Sequence, residues 1–93
     1  MGMEINFSEN TKKAFENVKQ LLNGMINDRA VPRNIKRVAQ KSIEELERTD
    51  ESPGVISSNI IYMIDDLTTD PNIPFHSRTT IYRIMSILEK IKD

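Results

Sequence analysis

Apolar side chains recur along this chain every three to four residues, the period of helices that bury one side. Ala14, Phe15, Val18, Leu21, Leu22, Met25 and Ile26 make a first stripe, with Ser8 placed to cap its start. Ile35, Val38, Ala39, Ile43 and Leu46 make a second, with Pro32 suited to the first helical position. Ile56, Ile60, Met63, Ile64 and Leu67 make a third, entered through Ser52 as cap and Pro53 at the first turn. Ile81, Ile84, Met85, Leu88 and Ile91 make the fourth, entered at Pro74. The spacing predicts helices near 8–27, 32–48, 53–69 and 74–92, and no run alternates as a half-buried strand would. The expected fold class is all-α, a single domain over residues 1–93, with residues 1–7 a loose N-terminus.

The two halves of the pattern match. A shift of 42 lays residues 17–48 on 59–90 without a gap. Asn17/Asn59, Asp28/Asp70, Pro32/Pro74, Leu46/Leu88 and Glu47/Glu89 are identical, and apolar stands opposite apolar at Val18/Ile60, Leu22/Ile64, Val31/Ile73 and Ala39/Ile81. Each half therefore reads as helix, a turn of the form Asp-x-x-(Val/Ile)-Pro, and a second helix with a basic residue four after the proline (Lys36, Arg78). Two such hairpins, over about 8–48 and 53–92, are expected to close on one another as an antiparallel four-helix bundle. The alternative is an open two-repeat stack, which has fewer units than the three or so that a solenoid needs.

Turn pattern and period resemble a HEAT-type helical repeat at the level of the motif, its units running to about 40–47 residues. A closer likeness covers nearly the whole chain. Asn27-Asp28, Val31-Pro32-Arg33-Asn34-Ile35 and Asp70-Pro71-Asn72-Ile73-Pro74, with Arg78 following, resemble a small archaeal family known as uncharacterised protein family 0147. The resemblance implies an archaeal, cytosolic, all-helical protein without an assigned activity, and it offers no catalytic or binding residues to carry over.

Composition removes several kinds of chemistry. There is no Cys, so disulfides, thiolate catalysis and thiolate-held metals are absent, and the one His (His76) offers little for metal binding or acid–base work. Thirteen Lys and Arg against fourteen Asp and Glu leave a net charge of −1, so no field of the whole molecule recruits nucleic acid or acidic lipid. No stretch is long and apolar enough to span a membrane and the start lacks the pattern of an export signal, so a cytoplasmic protein is expected. No cofactor, metal or small-molecule substrate is inferred.

His76 sits in the first turn of the fourth helix with no second His and no carboxylate at a triad spacing, so an exposed helix-start His is expected rather than a general base. Asp65 and Asp66 diverge by about 100° on a helix and cannot chelate one ion between them. Asp28 and Asp70 are expected to orient their turns. The expectation is a protein without catalytic or metal-ligating residues.

Two surface features carry function classes. Arg29, Arg33, Lys36, Arg37 and Lys41 stand within residues 29–41 without an acid between them. Arg33, Lys36, Arg37 and Lys41 point away from the core stripe, which suits phosphate contacts, as in a nucleic-acid or ribosome-associated accessory protein. Those cations crowd the start of their helix, against its dipole, while Asp65 and Asp66 sit near the end of the third. A bundle brings both to one pole, so a cross-helix network of Arg33, Lys36 and Arg37 with Asp28, Asp65, Asp66 and Asp70 is expected in preference to nucleic-acid binding. The second feature is aromatic. Val55 and Tyr62, and Phe75 and Tyr82, are each seven apart on the outer sides of helices three and four. Exposed aromatics at that spacing suit a protein interface. The leading expectation is a small non-enzymatic interaction module that binds itself, or another protein, through that face.

Overall fold

The computed structural model describes residues 7–93, which contain four α-helices and, among the described residues, no strand. Helix α1 spans Glu9–Ile26, α2 Arg33–Leu46, α3 Pro53–Asp65 and α4 Phe75–Leu88, with one 3₁₀ turn at Asp66–Thr69 after α3. Ser8 caps α1 by accepting the Thr11 N–H at 3.2 Å, and Ser52 caps α3 by accepting that of Val55 at 3.4 Å. Phe7 is half-buried and sets its ring edge-on to Phe15 at 5.6 Å. The residues before it, for which a loose terminus is expected, lie outside the described residues.

Helix ends differ from the periodicity in three places. Pro32 and Pro74 precede α2 and α4 as extended cap residues, φ −61° at each, rather than opening the first turn. Their carbonyls accept the N–H groups of Ile35 and Lys36, and of Ser77 and Arg78, so proline's fixed φ sets the chain's entry angle from outside the helix. The third predicted helix divides into α3 and the 3₁₀ turn. There Thr68 and Thr69 donate their hydroxyls to the carbonyls of Asp65 and Asp66, three residues back, and the last turn tightens. Finally, α4 stops at Leu88, and beyond it the tail reaches the start of α3, where the Asp93 carboxylate accepts the Gly54 N–H at 2.7 Å. A Cβ at Gly54 would lie 2.7 Å from that carboxylate oxygen, which makes glycine the residue that permits the approach.

The helices pack in a ring, each against its neighbours in sequence, with α4 returning onto α1. That closure makes the molecule a four-helix bundle. One continuous core runs through it, in which Val18, Leu22, Ile35, Ala39, Ile56, Ile60, Ile81 and Ile84 are fully buried. Burial follows the spacing of 42 closely: Val18 with Ile60, Leu22 with Ile64, Met25 with Leu67, Val31 with Ile73 and Leu46 with Leu88 are all core. The two turns at one end of the bundle are bonded alike. Asp28 Oδ1 accepts the Ala30 N–H at 2.9 Å, and Asp70 Oδ1 accepts the Asn72 N–H at 2.8 Å. These are the side-chain turns that Asp forms with the backbone two residues on.

Candidate interaction surfaces

Among the described residues, the large apolar side chains that the bundle leaves exposed are Val55 at 40%, Tyr62 at 81%, Phe75 at 81% and Tyr82 at 55%. Helical geometry explains the exposure. At 100° per residue Val55 and Tyr62 fall within about 20° of one another and roughly opposite the buried Ile60. Phe75 and Tyr82 are likewise about 20° apart, on the flank of α4 some 100–120° round from Ile81. The other flank of α4 is turned to α1, since His76, Ser77 and Thr80 share a cleft of about 190 Å³ with Gln20, Gly24 and Met25. Phe75 and Tyr82 are therefore on the α3 side. None of these rings stacks on another, the one ring pair among the described residues being Phe7 with Phe15. The fold does not require apolar groups at these positions. Their counterparts 42 residues earlier are Lys13, Gln20, Arg33 and Gln40, all exposed and all polar.

The cationic helix behaves differently from expectation. Arg29, Arg33, Arg37 and Lys41 are exposed and Lys36 is half-buried, but no ion pair within 4.0 Å joins any of them to an acid among the described residues. The expected network with Asp28, Asp65, Asp66 and Asp70 does not form. The pole is shared, as the contact of Asn34 with Asp70 shows, but the two turn aspartates are already committed. Each spends one oxygen on its own turn and the other on the opposite hairpin: Asp70 Oδ2 accepts from Asn34 Nδ2 at 3.1 Å, and Asp28 Oδ2 meets His76 Nε2 at 2.6 Å. Asp65 and Asp66 remain exposed to solvent. Of the cations, Lys36 reaches Asp28 only through space, as the weakest influence on that carboxyl.

These two cross-hairpin contacts are one contact made twice. Asn34 and His76 are 42 residues apart, as are Asp28 and Asp70, so each hairpin's turn grips the second residue of the other hairpin's second helix. His76 is exposed at the helix start, as expected, but it also ties α4 to the turn after α1. The repeat held the signal for this contact, because the two pairs coincide under the shift. Hydrogen bonds from His76 and then from the Ala30 amide hold the Asp28 carboxyl below its ordinary value. Ser77 lies beside His76, yet its Oγ is buried and has no hydrogen-bonding partner among the described residues, so Ser, His and Asp meet here without the relay that nucleophilic catalysis needs. No group of three or more His, Asp or Glu among the described residues is gathered closely enough to hold a metal ion, and no helix of the described residues is long and apolar enough to cross a membrane.

Known proteins resemble this chain along its length. The model of an uncharacterised protein family, UPF0147, matches residues 1–91. A UPF0147 protein of Methanothermobacter thermautotrophicus is 40% identical over 83 residues, covering 89% of this chain and 81% of that one. A second, from Pyrococcus horikoshii, is 36% identical over 93 residues and covers 99% and 100%. The crystal structure of a family protein from Thermoplasma acidophilum superposes with a TM-score of 0.84 at 34% identity, covering 91% of this chain and all of its own. That of a protein of unknown function, MMP1188, superposes at 0.85, also at 34% identity, covering 96% and 99%.

Proposed function

The chain belongs to the uncharacterised protein family UPF0147, and we propose that it works as a small non-enzymatic interaction module whose docking face is the outer side of α3 and α4. One observation carries this reading. Tyr62, Phe75 and Tyr82 present large apolar surface to solvent at positions where the first hairpin has Gln20, Arg33 and Gln40. A Tyr or Phe buries roughly 200 Å² when fully covered. At exposures of 81%, 81% and 55% the three rings together offer roughly 400 Å², within the range of the largest apolar patch on a typical monomer, which often serves a function.

The partner in this reading is a second copy of the chain. The equivalent face of the first hairpin is polar and cationic, so like meets like: the α3–α4 face of one copy meets that of another about a two-fold axis. Two such faces bring together roughly 800 Å² of ring surface, and the polar rims of both helices must supply the rest of the ~1,200 Å² at which specific interfaces begin. Its setting is the cytoplasm. Tyr62→Glu with Tyr82→Glu should convert a dimer into a folded monomer of 10.7 kDa by light scattering. An unchanged mass contradicts the reading.

A further inference from the structure

We propose a second and independent surface: the outer face of α2, with Arg33, Arg37 and Lys41, and Arg29 in the turn before it, docks on the phosphate backbone of a single nucleic-acid strand. The net charge of −1 conceals how unevenly charge is placed. Residues 17–43 hold six Lys and Arg against one acid, Asp28, so every other acid of the chain stands outside this stretch. Asp28 is not available to these cations, because its two oxygens are engaged by the Ala30 amide and by His76. Among the described residues, the four exposed cations have no acid within ion-pair distance.

Geometry orders them. Arg33, Arg37 and Lys41 are four residues apart, so successive charges rise by about 6 Å along one side of the helix. That is of the same order as the separation of successive phosphates along a strand. Three of the four are Arg, whose fork matches phosphate oxygens two at a time. The start of α2 has neither an acid in its first turn nor a capping side chain, so its positive dipole end adds to the same sign of field. The exposed amide of Gln40, about 20° round the helix from Arg33, can bond sugar and base edges. The exposed aromatics are on the other hairpin, so binding is through the backbone and indifferent to sequence.

The test is fluorescence anisotropy of a labelled single-stranded RNA of mixed sequence, about 20 nucleotides long. Four phosphate contacts on a single strand predict binding that weakens roughly 50-fold between about 50 and 200 mM salt. Arg33→Glu, Arg37→Glu and Lys41→Glu together should abolish it. Lys12→Glu, Lys13→Glu and Lys90→Glu, an equal charge change elsewhere on the molecule, should leave it within about 2-fold. Circular dichroism checks that both variants fold; if the first does not, the neutral Gln substitutions at the same three positions take its place. No binding by the unaltered chain at low salt, equal loss in both variants, or displacement by polyglutamate as effective as by unlabelled RNA would overturn the assignment.

Discussion

Replacing Ser57 and Ser77 by Ala should make the protein more stable. Both side chains are in the core, 2% and 1% exposed, and neither Oγ has a hydrogen-bonding partner among the described residues. A hydroxyl buried without a partner costs about 1–3 kcal/mol against an apolar group of the same shape. Ala is also the better helix former, by about half a kcal/mol, and losing one oxygen leaves a hole smaller than a methyl group. Each substitution should therefore add about 1 kcal/mol and raise the melting temperature by about 4–8 °C for a domain of this size. Ser42 is the control. It is equally buried, but its Oγ donates to the Val38 carbonyl at 2.9 Å, so Ser42→Ala forfeits a bond and should change stability by less than about 0.5 kcal/mol. Urea and thermal unfolding followed by circular dichroism measure all three. Destabilisation by Ser57→Ala or Ser77→Ala would refute the reasoning, since it would mean that the hydroxyl has a partner, such as, for Ser77, a water in the cleft it lines with Gln20 and Thr80.

Two further expectations concern the ends of helices. The Asp28 carboxyl is held low by His76 and by the Ala30 amide, and that of Asp50 by Arg48. A depressed carboxyl contributes stability that is complete above its unfolded value, near ~4, and is lost as the pH falls through the folded value. Asp28→Asn should therefore flatten the fall in melting temperature between pH 4 and 2, and parallel curves for the two proteins would count against it. Gly54→Ala puts a Cβ 2.7 Å from the Asp93 carboxylate, which must move away. Trypsin should then cut after Lys90 faster, with the melting temperature shifting by less than ~5 °C as helix propensity offsets the lost bond. Unchanged proteolysis would show that Asp93 does not hold the tail.

The helices were legible because each buries a stripe at the α-helical period, and Ser8, Ser52 and Pro53 mark where two of them start. Exposure of Val55, Tyr62, Phe75 and Tyr82 followed from the same periodicity, since each falls off its own helix's stripe. Charge is less legible. The start of α2 and Asp70 do share a pole, but periodicity carries no record of which partner a carboxylate prefers. Asp70 takes Asn34 and Asp28 takes His76, because the turns hold both carboxylates in fixed orientations beside the second helix of the opposite hairpin. The contact of the tail with α3 is hidden for a similar reason: Asp93 and Gly54 are 39 residues apart, and their meeting depends on how the helices close.

The central claim is that copies of this chain meet through the outer face of α3 and α4. Because the chain has no cysteine, a single introduced thiol reports one position without ambiguity. Ser58→Cys places it on that face between Val55 and Tyr62, and Glu16→Cys places it at the corresponding exposed position of the first hairpin. Treated with a short bifunctional maleimide, the Ser58→Cys protein should give a species of twice the 10.7 kDa chain mass on a denaturing gel, and the Glu16→Cys protein should stay single. Equal cross-linking of both, or of the Glu16→Cys protein alone, would contradict the account.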